Sequence, residues 1–165
     1  MSSTTVSCPI AVHDAHDIAQ VVLSGLPTRW RHTVGVARRA EELTDLLDPY
    51  ERDTLVAAAW LHDIGYAEEL VDTGFHPLDG AQFLDRYRWP QRICGLVAHH
   101  SGAAYAAADR GLAAALAVHP DERSMVADLL TYASRSVPAG HRRPRGVAAA
   151  RRPLVGDFVV RCVAR

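Results

Sequence analysis

An apolar run that ends in a His-Asp pair constrains the fold of this 165-residue chain more than any other feature. Residues 55–60 read Leu-Val-Ala-Ala-Ala-Trp, which predicts a buried helix, and the chain continues as Leu61-His62-Asp63-Ile64-Gly65. Because burying an unpaired carboxylate is costly, the pair needs a partner. Imidazole nitrogen and carboxylate oxygen both suit a transition metal, and a carboxylate can bridge two ions. Gly65 is placed to end the helix in a left-handed turn.

The remaining apolar residues predict more helices around this one. Between residues 14 and 133 they recur every three to four positions, without the alternation that is typical of strands. Ala, Leu and Val are abundant and aromatic residues are only 7% of the chain, which also favours helices. The sequence therefore predicts an all-α, single-domain bundle of about six to seven helices in residues 13–133. Residues 1–12 are expected to form a flexible arm.

The charge is unevenly distributed, and this sets the end of the chain apart. All 18 basic residues are Arg; residues 1–133 hold 10 of them against 18 acidic residues, whereas residues 134–165 hold 8 against a single acid. The Arg-rich end also contains Pro and Gly and has no apolar periodicity over residues 134–146. We therefore expect residues 134–165 to be a disordered or diverged tail.

The cysteines and the chain ends indicate a cytoplasmic protein. Cys8, Cys94 and Cys162 are odd in number and widely spaced, which argues against a disulfide framework and fits a reducing compartment. The N-terminus has no basic region followed by an apolar stretch, so no secretory signal is predicted. No uncharged run reaches the roughly 18–20 strongly apolar residues of a membrane span, so no membrane association is expected.

Several other histidines lie where helices are predicted to begin, end or face inward. His32 precedes Val36 by four residues on a long helix, His76 stands before Pro77 at a helix start, and His99 and His100 end a helix. Each has a simpler interpretation: His32 as a core residue bonded to a carbonyl, His76 as a helix cap, and one of the His99–His100 pair as a solvated neighbour. Since imidazole groups are rare in cores unless paired, their joint placement favours a shared metal site.

In this order the motifs resemble the HD-domain superfamily of metal-dependent phosphohydrolases. The stretch from Trp30 to Ala37 is similar to the family's first ligand helix, and Leu61-His62-Asp63-Ile64-Gly65 to its naming motif. The stretches His76-Pro77-Leu78-Asp79-Gly80-Ala81 and His99-His100-Ser101-Gly102 resemble the further motifs of members that hold two metals. The resemblance covers about residues 27–133.

The resemblance implies an all-helical phosphohydrolase with one or two divalent transition-metal ions. Fe or Mn is favoured, with Co, Ni or Zn as alternatives. Asp63 would be the bridging carboxylate, and Asp63 and His62 would carry catalysis. His100 would be a ligand or a close neighbour of one. The full set of ligands that the resemblance implies is His32, His62, Asp63, His76 and His99.

The end of the helical region departs from the family pattern. The family closes its metal site with an Asp on the last helix, where this chain has Thr131-Tyr132-Ala133-Ser134. Asp128 is the nearest alternative ligand, but six residues place it about 120° around the helix from position 134. The break coincides with the start of the Arg-rich tail, which suggests a frameshift or a diverged C-terminus.

The leading prediction is hydrolysis of phosphate esters or anhydrides in a small phosphorylated substrate, with nucleotides as the favoured class. Arg31 or Arg38 would bind the phosphate. A first alternative is a metal-binding remnant with weak or no activity. A second is nucleic-acid binding through the tail arginines, which is less favoured because the tail lacks interleaved aromatic residues and the body is acidic. The sequence does not indicate whether the protein is a monomer or an oligomer.

Overall fold

The computed structural model describes residues 12–139, which form a bundle of α-helices. Within that range there are seven helices of at least seven residues, one single-turn helix and no β-strand. The predicted all-α class is therefore confirmed. The helices are α1 (Val12–Val22), α2 (Pro27–Leu43), α3 (Pro49–Leu61), α4 (His76–Arg86), α5 (Gln91–His99), α6 (Ala103–Asp109), α7 (Ala113–Leu116) and α8 (Met125–Ser136).

Helix α3 is the centre of the bundle. It packs against α1, α2, α5 and α8, and most of its residues from Thr54 to Leu61 are buried. The small side chains of residues 57–59 let the neighbouring helices approach closely. Because α3 is apolar around most of its circumference, it is stable only inside such a shell. Its C-terminal end, which carries His62 and Asp63, therefore lies deep in the protein.

Gly65 has a different role from the predicted one. It does not adopt a left-handed conformation: the glycines with positive φ are Gly74, Gly102 and Gly111. Instead, α3 is followed by a 3₁₀ turn over Ile64–Tyr66, and this turn packs against α4. A Cβ at position 65 would overlap the carbonyl oxygen of His76 and lie 2.7 Å from the backbone nitrogen of Gly80. The glycine is thus required by the close approach of two backbones.

Helix α8 extends three residues beyond the predicted end of the helical region. It ends at Ser136, and the side chain of Val137 packs against Gly35 of α2. The predicted arm, apart from its last residue, and the tail from residue 140 onward lie outside the described residues. None of the described helices combines the length and the apolarity that a membrane crossing requires.

Candidate metal centre

Four imidazoles and one carboxylate from different parts of the chain converge beside the C-terminal end of α3. We call them the ligand cluster: His32, His62, Asp63, His76 and His100. Their nitrogen and oxygen atoms form two groups, within each of which all atoms lie within 4.8 Å of one another. One group contains His32, His62 and Asp63, the other Asp63, His76 and His100. Asp63 belongs to both groups.

The carboxylate of Asp63 lies between the imidazoles. Its Oδ1 is 3.5 Å from Nε2 of His62, 3.5 Å from Nε2 of His76 and 3.9 Å from Nε2 of His100. Its Oδ2 is 3.7 Å from Nε2 of His32. Asp63 is 3% exposed, so these groups take the place of water around it. The separations are longer than direct hydrogen bonds and leave room for ions between the side chains.

Two pairs of histidines have the spacing expected of ligands that share an ion. The Nε2 atoms of His32 and His62 are 3.4 Å apart, and those of His76 and His100 are also 3.4 Å apart. Metal–nitrogen bonds of about 2.0–2.1 Å at a tetrahedral angle place two nitrogens about 3.4 Å apart. The residues therefore fit a pair of metal ions, with His32 and His62 on one and His76 and His100 on the other. Asp63 would bridge the two.

The tautomers of His62 and His100 are fixed by the helices that carry them. Nδ1 of His62 donates to the Ala59 carbonyl at 2.7 Å, and Nδ1 of His100 donates to the Val97 carbonyl at 2.7 Å. Each acceptor lies three residues earlier, at the end of α3 or α5, where helix carbonyls have no intrahelical partner. With Nδ1 protonated, Nε2 presents a lone pair to the cluster, which is the form that binds a metal.

The charge states also favour a cation. Burial opposes ionisation of Asp63, but the four histidines together lower its pKa to about 2. Burial and, to a smaller extent, neighbouring imidazoles lower the pKa of His76 to about 3 and that of His100 to about 4, although Asp63 opposes the shift in both. Burial likewise lowers the pKa of His32, although Asp63 opposes this. At neutral pH the cluster thus holds a carboxylate beside the neutral imidazoles of His32, His76 and His100.

His76 is held in place from two sides. It is the first residue of α4. The buried Asp79 accepts hydrogen bonds from the backbone nitrogens of Thr73 and Gly74 and from the Thr73 hydroxyl, which anchors the loop before α4. The ring of Tyr66 stacks on that of His76 with centroids 3.9 Å apart. These contacts orient the imidazole towards Asp63.

His99 and Asp128, two of the predicted ligands, lie outside the cluster. Nε2 of His99 donates to the His119 carbonyl at 3.1 Å, on another side of α5. Neighbouring helix residues point about 100° apart, and of these two histidines it is His100 that faces the cluster. Asp128 lies exposed in the first turn of α8.

Arg29, rather than Arg31 or Arg38, reaches the cluster. Its Nη1 lies 3.3 Å from Oδ2 of Asp63, and its guanidinium lies over the Tyr66 ring at 3.8 Å from the centroid. Arg31 and Arg38 are exposed. Three residues before His32, Arg29 lies only about 60° from it around α2. The three-residue spacing between Arg29 and His32 was the feature of the sequence that could have indicated this position.

Ser134 occupies the position at which the sequence resemblance predicts an aspartate in the family, one residue after the predicted end of the helical region. Its hydroxyl oxygen is 2.9 Å from that of Ser101, the residue after His100. The side chain therefore lies next to the segment that carries a cluster histidine, but it provides no carboxylate. Among the described residues, α8 contributes no member of the cluster.

Comparison with known proteins gives one match. A family model described as HD domain matches residues 29–133, more than half of the chain. The match contains all five cluster residues and Arg29. No curated protein and no solved structure matches the chain significantly.

Proposed function

The chain belongs to the HD-domain family, and from that premise we propose that it is a metal-dependent phosphohydrolase. The proposed reaction is hydrolysis of a phosphate ester or anhydride bond in a small phosphorylated substrate, with nucleotides as the favoured class. The observation that carries the proposal is the pair of metal-binding groups that share Asp63. Two ions about 3.5–4 Å apart are the recurring arrangement in enzymes that displace groups at phosphorus.

The ligand atoms restrict which metals the cluster can bind. Four imidazole nitrogens and one carboxylate suit first-row transition metals better than Mg²⁺ or Ca²⁺, which prefer oxygen ligands. We favour Fe or Mn, with Co, Ni or Zn as alternatives. When bound, such ions would lower the pKa of coordinated water and act as Lewis acids towards the phosphoryl oxygens.

The side chains around the cluster indicate where the phosphate would approach. His32, His62, Asp63 and His100 are at most 5% exposed, whereas the side chains of His76 and Arg29 are 23% and 24% exposed. The guanidinium of Arg29 can form paired hydrogen bonds with phosphoryl oxygens. Its stacking on Tyr66 holds it beside Asp63 before substrate arrives. Arg29 is therefore our candidate for phosphate binding, in place of Arg31 and Arg38.

A second function, metal binding with weak or no turnover, is favoured by one observation. The hydroxyl of Ser134 stands where the sequence resemblance predicts a carboxylate, and α8 supplies no cluster residue within the described range. Fewer anionic ligands would weaken ion binding and leave the site more positively charged. Nucleic-acid binding by the tail arginines, such as Arg142 and Arg143, concerns residues outside the described range.

Metal analysis combined with a phosphate-release screen tests the proposal. The purified chain would be analysed for bound metal and then assayed on nucleotides and simple phosphate esters with added Mn²⁺ or Fe²⁺. We expect bound metal and phosphate release, and loss of both in Asp63→Asn. Metal without release would support the inactive alternative. Neither metal nor release, with Asp63→Asn behaving as the wild type, would contradict both.

A further inference from the structure

Arg29 contacts the ligand cluster at one oxygen of Asp63. Its Nη1 lies 3.3 Å from Oδ2, and the same oxygen lies 3.7 Å from Nε2 of His32. The other oxygen, Oδ1, lies within 3.9 Å of Nε2 of each of the three remaining imidazoles. The guanidinium is therefore adjacent to the metal-binding group that contains His32, which we call the His32 group.

The ring of Tyr66 stands between Arg29 and the other metal-binding group, which contains His76 and His100 and which we call the His76 group. The Arg29 guanidinium lies 3.8 Å from the centroid of this ring, and the His76 ring is stacked on it at 3.9 Å. Two groups this close to one ring centroid must lie on opposite faces of the ring. Arg29 thus shares a carboxylate oxygen with the His32 group, whereas an aromatic ring separates it from His76.

The charges of the cluster are poorly balanced for two ions. Among the described residues, Asp63 is the only carboxylate in either group, and the positive charge of Arg29 already matches its negative charge. Asp63 and His32 are at most 5% exposed, so water screens the repulsion between added cations only weakly. Because the guanidinium lies beside Oδ2, the repulsion is strongest for an ion in the His32 group.

A phosphate bound at Arg29 would reverse this imbalance. The side chains of Arg29 and His76 are 24% and 23% exposed, so an anion can reach both of them from solvent. A guanidinium binds phosphoryl oxygens through paired hydrogen bonds, which would turn its donors away from the carboxylate of Asp63. The phosphate would also supply the negative charge that a second ion needs.

We propose that Arg29 makes the ligand cluster take up its two ions in a fixed order. The His76 group binds an ion in the free protein, and the His32 group binds its ion together with a phosphate held by Arg29. This inference rests on the proposed function, because it assumes a metal centre that receives a phosphate group. It concerns metal occupancy, however, and not turnover.

Mn²⁺ binding with and without inorganic phosphate tests the order of uptake. The full-length chain would be stripped with a chelator, freed of the chelator and titrated with Mn²⁺, whose unbound fraction is measured by electron paramagnetic resonance. Without phosphate, we expect the first ion to bind at least about tenfold more tightly than the second, because the second meets both the first ion and Arg29. Saturating phosphate should tighten binding of the second ion at least about tenfold and change that of the first little.

Two arginines of α2 provide a matched pair of variants. Arg29→Gln removes the charge beside Asp63, whereas Arg31→Gln removes an exposed charge from the same helix. We expect Arg29→Gln to bind the second ion more tightly than the wild type without phosphate, and to lose most of the tightening that phosphate causes. Arg31→Gln should behave as the wild type in both titrations.

Two histidine variants identify the group that binds first. His32→Ala removes a ligand of the His32 group, and His100→Ala removes a ligand of the His76 group. We expect His32→Ala to retain the tightly bound ion and to lose the ion that depends on phosphate. His100→Ala should lose the tightly bound ion, with both variants retaining the helical circular dichroism of the wild type.

Three results would overturn the inference: no Mn²⁺ bound by the wild type, two ions of equal affinity without phosphate, or the same effect of phosphate on Arg29→Gln and on the wild type. The first result would also contradict the metal centre on which the proposed function depends. Hydrolysis by a protein that binds both ions equally without phosphate would leave the proposed function standing and refute the order of uptake. Phosphate-dependent binding of the second ion without hydrolysis of any substrate would support the order of uptake and count against the proposed function.

Discussion

His99 and His100 are chemically identical neighbours with different surroundings. His100 has its Nδ1 bonded to the Val97 carbonyl and its Nε2 directed at Asp63, so it presents a fixed lone pair to the cluster. His99 has its Nε2 bonded to the His119 carbonyl, away from the cluster. The role of each imidazole is thus set by which of its nitrogens the backbone occupies.

Substitution of each neighbour in turn tests this assignment. We expect His100→Ala to weaken metal binding by at least about tenfold, since even the loss of an outer partner of a ligand typically costs 10–100-fold. His99→Ala should bind metal like the wild type. Titration of the chelator-treated proteins with Mn²⁺ or Zn²⁺ measures both. Equal loss in the two variants, or loss in His99→Ala alone, would contradict the placement of His100 in the cluster.

Among the secondary-structure elements, the junction of the 3₁₀ turn after α3 with α4 decides whether the two metal-binding groups meet. His62 and Asp63 come from the end of α3, and His76 from the start of α4. The two segments can approach only because residue 65 has no side chain in the path of the α4 backbone. The contact is between backbones, so neither partner can adjust by changing a rotamer.

Replacing Gly65 with alanine should therefore separate α4 from α3. We expect Gly65→Ala to lower the free energy of unfolding by about 1–3 kcal/mol, the usual cost of overpacking. It should also weaken metal binding, because His76 moves with α4. Gly25→Ala is the matched control, since a Cβ there would have no neighbour within 4 Å. Urea unfolding in the presence of a chelator, followed by metal titration, measures both effects. Unchanged stability in Gly65→Ala would refute the close approach.

Helix α8 closes the side of the bundle next to His100, where Ser134 bonds to Ser101. We expect Ser134→Asp to tighten metal binding and to raise phosphate release, because it adds an anionic oxygen next to the segment that carries His100. Ser136→Asp adds the same charge on an exposed part of the same helix and should change neither property. Equal metal affinities of Ser134→Asp and Ser136→Asp would show that the side chain at position 134 does not reach the site.

On the scale of the whole molecule, Arg92 joins three parts of the bundle. From α5 its Nη2 donates to Glu51 of α3 at 2.8 Å, and its Nε donates to Glu122, just before α8, at 2.7 Å. Burial tends to raise the pKa of Glu122, but the hydrogen bonds from Arg92 and Ser124 lower it overall. The ion pair thus ties α5 to α3 and to the segment just before α8.

The contribution of Arg92 to stability should depend on pH. Because the pKa of Glu122 is lower in the folded state than in the unfolded chain, its stabilisation is fully present above the unfolded value, near 4.5, and disappears as the pH falls through the lower folded value. We expect Arg92→Gln to lower the unfolding free energy by up to about 1 kcal/mol at pH 7, since the pair is partly exposed.

The difference in unfolding free energy between Arg92→Gln and the wild type should shrink towards pH 3. Arg123→Gln, an exposed neighbour of Glu122, is the control and should show no such dependence. Urea unfolding at several pH values measures the difference. A constant difference between Arg92→Gln and the wild type from pH 7 to pH 3 would contradict the role of Glu122.

The sequence by itself determined the all-α class, the family and the local setting of His32, His62, Asp63 and His76. These properties depend on apolar spacing and on helix ends, which short stretches of chain encode. Tertiary structure alone decided that His100 rather than His99 faces Asp63, that Arg29 reaches the carboxylate, and that Gly65 serves a backbone contact instead of a left-handed turn. The physical reason is that the direction of a side chain at a helix end, and the space beside it, depend on elements distant in sequence.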